Sequence, residues 1–209
     1  MEATREEKRA KFLEDQALIR KRRNKKILAV AVVLLVAGIA LISYLNRPYV
    51  SPNGGNFNIG EAENYKNQKI NMTTIPLEVK EGKVILSLDT LKKNKIEYAE
   101  YRGEKRKYYG SFDYLPLNIF ITSAGRVVVA SSICEPCYGN KFYIEGSNLV
   151  CVACGTQWRL DDLMGVAGGC VNYPPEEFKY KVENNKIILD ESALRNWHPR
   201  YFTNEMQSS

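Results

Sequence analysis

The most uniform hydrophobic pattern in the chain is an unbroken apolar run near the N-terminus. The nineteen residues 27–45 read ILAVAVVLLVAGIALISYL, and none of them is charged. A helix of this length rises about 28 Å, which is close to the hydrocarbon thickness of a bilayer. Because an α-helix satisfies its own backbone hydrogen bonds, such a segment is stable in lipid. The pattern predicts a single transmembrane helix over 27–45.

Beyond residue 59 the pattern changes to short runs rich in β-branched and aromatic residues, separated by turns. The clearest of these runs are 73–79, 83–91, 96–103, 108–122 and 126–132. Two turn sequences predict β-hairpins, SAGR at 123–126 and NN at 184–185, whereas 190–197 has the pattern of one or two helical turns. We therefore expect a mainly β domain over 59–209, built as a small β-sandwich or barrel.

The charge distribution separates the chain into two parts. Residues 1–26 contain ten Lys or Arg and five Asp or Glu, so they carry +5 of the net charge of +6. The nearly neutral remainder excludes a basic nucleic-acid-binding face on the main domain. By the positive-inside rule, 1–26 is a cytoplasmic basic segment and 59–209 lies outside the cytoplasmic membrane.

The alternative interpretation of the apolar run is a cleaved signal peptide. The basic segment that precedes it is longer than a signal peptide requires, and no Ala-x-Ala cleavage site leads into a polar segment. An uncleaved, single-pass anchor in the lipid bilayer is favoured. Residues 46–58, which contain Pro48, Pro52, Gly54 and Gly55, are typical of a linker to the outer domain.

The strongest chemical signal is a set of cysteines in two C-x-x-C pairs separated by thirteen residues. The candidate metal ligands are Cys134, Cys137, Cys151 and Cys154. Two such turns can place four thiolates around one metal ion in a tetrahedral arrangement. Phe142 and Trp158 follow the first and second pair, and we expect them to shield a bound cofactor from water.

Three occupants fit this cysteine spacing. A structural zinc ribbon is one, iron as a rubredoxin-type centre or a [2Fe–2S] cluster is the second, and two disulfides are the third. The single histidine, His198, excludes the two-histidine half of a Rieske centre. Cys170, in Gly168-Gly169-Cys170, is a candidate spare or exchangeable ligand, a redox-active thiol, or a small buried residue under the site.

The run 127–175 resembles the membrane iron–sulfur FtrD-like family. The similarity consists of an aliphatic strand that ends in C-x-x-C, a second C-x-x-C-G, aromatic Trp158, and Gly-Gly-Cys followed by prolines. It extends over about 73–190. The segment after the second pair is also similar to the second half of a Rieske domain, so we expect a Rieske-like or rubredoxin/zinc-ribbon-like metal domain.

The resemblance implies that Cys134, Cys137, Cys151 and Cys154 are metal ligands and that Cys170 belongs to the site. It also implies an iron–sulfur cluster, or a mononuclear iron held by four cysteines, in a protein that transfers electrons and is linked to iron or other metal uptake. The expected partner is a membrane permease or redox protein, with no nucleic acid and no small-molecule substrate. We expect an electron carrier and not an enzyme. One alternative is a zinc-ribbon module that docks on a transporter or assembly partner, and another is a metallochaperone that uses Cys170 as an exchange ligand.

Overall fold

The structure is a computed structural model that describes residues 4–45, 49–103 and 112–200. The chain forms two compact units, Met1–Pro48 and Tyr49–Ser209. Part of the predicted run 108–122, the start of the predicted linker and the last residues of the outer domain lie outside the described residues.

The first unit is one continuous helix, α1 (Arg5–Leu45). Its segment Lys11–Tyr44 is long and apolar enough to cross a membrane. The apolar helix predicted near the N-terminus is therefore confirmed. A 41-residue helix is about 62 Å long, roughly twice the hydrocarbon thickness, so α1 continues beyond the apolar run into the basic segment.

The second unit is mainly β, as the sequence predicts, with three sheets in the described residues. Its strands are β1 (Lys69–Asn71), β2 (Thr73–Thr74), β3 (Glu78–Lys80), β4 (Lys83–Ser87), β5 (Ile96–Tyr101), β6 (Leu115–Ile121), β7 (Val127–Ser131), β8 (Phe142–Glu145), β9 (Asn148–Cys151), β10 (Gln157–Arg159), β11 (Gly165–Ala167), β12 (Lys181–Glu183) and β13 (Lys186–Asp190). Two short helices, α2 (Leu88–Asn94) and α3 (Glu191–Arg195), and the 3₁₀ turn Glu135–Cys137 complete it.

The central sheet, in the order β2-β5-β6-β7, is covered on both faces. Successive residues of a strand point to opposite faces, and Ile119 packs in one apolar cluster while Phe120 packs in the other. The first cluster includes residues of the sheet β12-β13-β4-β3, and the second includes residues of β1-β8-β9-β10-β11. The domain thus has three layers, where the sequence predicted a simple sandwich or barrel.

The local predictions differ in outcome. The hairpins at 123–126 and 184–185 are confirmed, because β6 pairs with β7 and β12 pairs with β13, both antiparallel. Only the first part of the run 83–91 is a strand, β4, and the rest belongs to α2. The helix begins there because the Ser87 side chain accepts a hydrogen bond from the Thr90 N–H. The run 73–79 divides into β2 and β3, which belong to different sheets, on either side of Pro76.

The segment predicted as a linker is packed on the domain from Tyr49 onward. Gly54 lies against the side chain of Glu177 and Gly55 lies against the ring of Tyr180, at distances that leave no room for a Cβ. The Phe57 carbonyl accepts a hydrogen bond from an N–H of β7. The glycines that suggested flexibility therefore serve close packing.

Glu97 is a buried carboxyl group on β5. Its Oε1 accepts a hydrogen bond from Asn94 at 2.8 Å, and its Oε2 has no hydrogen-bond partner among the described residues. Burial raises the pKa of Glu97, and the bond from Asn94 partly offsets this effect. Because folding disfavours the ionised form, stability falls as the pH rises above the ordinary carboxyl pKa.

We expect Glu97→Gln to be more stable than the wild type at pH 8, with a difference that shrinks towards pH 4. Chemical denaturation at a series of pH values measures this. A difference in free energy of unfolding that stays constant over the whole pH range would contradict the assignment.

Candidate metal centre

The two C-x-x-C pairs form turns of the same geometry, the first cysteine turn (134–139) and the second cysteine turn (151–156). In each, the N–H of the first residue donates to the carbonyl of the last, at 2.7 Å in the first turn and 2.9 Å in the second. The residue after the second cysteine is left-handed in both, with φ of 59° at Tyr138 and 70° at Gly155. The two turns therefore share their closing hydrogen bond and the left-handed residue after the second cysteine.

The turns face each other at the junction of two sheets. The first follows β7 of the central sheet, and the second begins at Cys151, the last residue of β9. The Sγ atoms of Cys134 and Cys154 are 3.8 Å apart, and those of Cys137 and Cys151 are 3.7 Å apart. Metal–thiolate bonds of about 2.3 Å in a tetrahedron imply sulfur separations of about 3.8 Å. The spacing therefore suits one four-coordinate ion.

The polar surroundings of the thiols favour the thiolate form on part of the site. The Cys134 thiol and the backbone N–H groups of Ala153 and Cys154 hydrogen-bond to Cys151 and lower its pKa to about 5. The same contact with Cys151, together with burial, raises the pKa of Cys134. In the first turn the Gly139 N–H donates to the Cys137 sulfur at 3.4 Å. Such N–H···S bonds stabilise metal-bound thiolates.

Gly139 leaves the space that the sulfur atoms need. A Cβ at this position would lie 2.7 Å from the Cys151 sulfur, 3.2 Å from the Cys137 sulfur and 2.9 Å from the Ala153 methyl group. The backbone of the first turn thus approaches the second turn more closely than any side chain allows. This shape, with four sulfur donors around it, fits a thiolate-bound metal ion.

We expect Gly139→Ala to weaken metal binding by about tenfold or more, because the added methyl group must displace a ligand sulfur. Metal content after equilibration with a competing chelator measures the effect. Gly169→Ala is the matched control, since a Cβ at Gly169 meets no atom within 4 Å. Equal metal retention by the two variants would contradict this account of Gly139.

The predicted aromatic cover lies behind the centre. Phe142 and Trp158 are buried, their ring centroids are 6.0 Å apart, and both belong to the apolar cluster that contains Cys134 and Cys151. The Trp158 indole N–H donates to the Val171 carbonyl at 3.1 Å. The two rings are thus part of the apolar cluster on the buried side of the site.

The other side of the centre reaches the surface. Cys154 is exposed and Cys137 is half-buried, whereas the remaining three cysteines are buried. Tyr138 and Val152, one from each turn, are exposed by 50% and 58%. The centre is therefore open to the surface at the Cys154 edge, beside two exposed and partly apolar side chains.

Cys170 joins the cluster from the loop after β11. Its Sγ is 3.9 Å from the Cys154 Sγ, and its N–H donates to the Thr156 hydroxyl at 3.2 Å. That hydroxyl is also 3.2 Å from the Cys154 Sγ. The sulfur atoms of four cysteines lie within 4.8 Å of one another, and these four are Cys134, Cys137, Cys154 and Cys170.

Two residues of the site carried no signal at the sequence level. Thr156 links Cys154 to Cys170, and only the position directly after C-x-x-C-G could have drawn attention to it. Glu135, inside the first turn, is buried and accepts a hydrogen bond from the Arg200 guanidinium at 2.8 Å. This ion pair ties the first turn to the C-terminal part of the domain.

The fold and the site define a membrane protein whose β domain carries a cysteine cluster suited to metal binding. The chain matches the family model described as "Membrane iron-sulfur containing protein FtrD-like" over residues 91–201, just over half of its length. It belongs to this family, as the sequence motifs suggested. No curated protein and no solved structure matches the chain significantly.

Proposed function

We propose that this protein is a membrane-anchored one-electron carrier with iron held by Cys134, Cys137, Cys151 and Cys154. The observation that supports this most directly is the convergence of two matched turns on a tetrahedral sulfur spacing, open to the surface at Cys154. Thiolate-bound iron supplies a one-electron redox couple. The protein contributes the ligands, the N–H···S bonds that tune the potential, and the aromatic rings that exclude water.

The sulfur spacing favours a single ion over a cluster. In an iron–sulfur cluster, thiolates bound to different irons are also separated by the iron–iron distance, so they lie farther apart than two thiolates on one iron. Instead, the sulfur atoms of Cys134, Cys137 and Cys154 all lie within 4.8 Å of one another, and the Cys151 sulfur is 3.7 Å from that of Cys137. The family description, which names an iron-sulfur containing protein, supports iron as the metal.

Zinc is the alternative occupant, because Zn–S bonds of about 2.3 Å suit the same sulfur spacing. A zinc-bound centre is redox-silent, and the domain would then be a module that docks on a membrane transporter or assembly partner. The shielded inner side of the centre supports either occupant, whereas the exposed Cys154 edge favours electron transfer.

The anchor and the charge pattern complete the proposal. The basic segment 1–26 lies in the cytoplasm, α1 crosses the bilayer, and the β domain is extracytoplasmic. Electrons pass between the centre and a membrane permease or redox protein that takes part in iron or other metal uptake; this link rests on the family resemblance. The domain transfers electrons without converting a substrate of its own.

A potentiometric titration of the full-length protein in detergent tests the proposal. We expect a reversible one-electron transition in the visible spectrum, absent from Cys134→Ser. No redox transition in a fully metal-loaded protein would leave the zinc-bound docking module as the function.

A further inference from the structure

We infer that the centre has two overlapping sets of four thiolate ligands, in which Cys151 and Cys170 are alternative fourth ligands. Three thiols are common to both sets: Cys134, Cys137 and Cys154. This inference rests on the proposed metal centre, but it holds for iron and for zinc alike.

The positions of the five sulfur atoms carry the inference. The set with Cys151 contains both C-x-x-C pairs, with sulfur separations of 3.7 and 3.8 Å across the two turns. The set with Cys170 has all four sulfur atoms within 4.8 Å of one another, and Cys170 is 3.9 Å from Cys154. A tetrahedral ion accepts four of the five sulfurs.

The loop that carries Cys170 is fixed to the second cysteine turn. Thr156 is fully buried, and its hydroxyl oxygen lies within 3.2 Å of both the Cys154 sulfur and the Cys170 backbone nitrogen. Gly168 has φ of +106°, and a Cβ there would lie 2.6 Å from the Thr156 hydroxyl oxygen. The glycine therefore allows the close approach that brings Cys170 to the site.

The surroundings of Cys170 distinguish it from a cysteine that only fills space. Its sulfur lies beside the sulfur of Cys154, the exposed ligand, and its backbone N–H donates a hydrogen bond to a hydroxyl group of the second cysteine turn. Each of the two sets would supply four thiolates to one ion. The charge of the centre is then the same with either set.

Cobalt(II) bound to the full-length protein in detergent, stripped of other metals, tests the inference. The thiolate-to-cobalt absorption reports the number of bound thiolates. We expect Cys151→Ser and Cys170→Ser each to retain the full intensity per cobalt, and the double variant to lose about one quarter of it, one thiolate of four. If Cys151→Ser alone loses that quarter and the double variant loses no more, Cys170 is not a ligand and the inference is wrong.

Thr156→Val provides a test that removes no thiol. We expect it to leave the cobalt spectrum of the otherwise wild-type chain unchanged, because Cys151 completes the site. In the Cys151→Ser background we expect it to reduce the thiolate absorption by about one quarter, because Cys170 is no longer held near Cys154. A full spectrum in that double variant would overturn the role of Thr156.

These outcomes are independent of the electron-transfer proposal. Cobalt binding reports ligand sets whether the native metal is iron or zinc. A redox-silent native protein with an intact two-set cobalt pattern would contradict electron transfer alone. A redox-active protein in which Cys151→Ser alone loses the fourth thiolate would contradict the two-set inference alone.

Discussion

Replacing Cys134 with serine is expected to remove most of the stability that the metal gives to the outer domain. Cys134 belongs to both ligand sets, is fully buried, and joins the central sheet to the first cysteine turn. Metal binding contributes on the order of 10 kcal/mol to small structural zinc sites, because the unfolded chain does not form the site. We expect a large part of the β-domain stability to depend on the ion in the same way.

Thermal unfolding with and without a strong chelator measures this effect. The chelator should lower the melting temperature of the wild-type protein strongly and that of Cys134→Ser only slightly, because three thiolates bind the metal more weakly than four. Cys170→Ser is the matched control, because Cys151 remains available, and its melting temperature should still fall on addition of the chelator. A Cys134→Ser protein that is destabilised by the chelator as strongly as the wild type would contradict the assignment of Cys134 as a ligand.

Replacing Arg126 with methionine is expected to destabilise the outer domain by about 3–5 kcal/mol, because the substitution leaves the buried carboxylate of Glu177 without its counter-ion. The two side chains are nearly fully buried and meet at 2.7 Å. The guanidinium also donates to the carbonyls of Gly55 and Asp161, so it fastens the start of the domain to its core. Chemical denaturation of the full-length protein in detergent gives the free energy of unfolding.

Two further variants identify the cause of this loss. Arg126→Met combined with Glu177→Gln should recover part of the lost stability, because no unpaired charge is then buried. Arg159→Met removes one partner of the more exposed Arg159–Asp162 pair and should cost no more than about 1 kcal/mol. Equal losses for Arg126→Met and Arg159→Met would show that burial of the pair does not matter.

Features that depend on local chemistry could be predicted from the sequence. The turn at 184–185 has φ of 48° and 63°, a backbone conformation that asparagine tolerates well. The two asparagines therefore made this hairpin predictable from the sequence. The C-x-x-C spacing likewise specifies a turn that presents two sulfurs, and the apolar run specifies a helix. Each of these signals lies within a few residues of the chain.

Features that depend on distant contacts could not be predicted. Arg126 appeared only as the end of a turn, but its partners include Gly55, 71 residues earlier. The three-layer packing could not be predicted because a central strand is recognised by a continuous apolar run. Every residue of β6 is buried, but Asn118 interrupts its apolar pattern. The role of Thr156 depends on a loop that returns from β11, and no local pattern encodes it.

The most direct test of a single iron ion in the cysteine centre uses the anaerobically purified full-length protein. Its metal content is measured together with its acid-labile sulfide and its visible spectrum. We expect about one iron per chain, no labile sulfide, and thiolate-to-iron absorption that dithionite bleaches. Iron with stoichiometric sulfide would preserve the electron carrier but overturn the single-ion geometry. One zinc ion per chain in a colourless protein would contradict the proposed electron transfer.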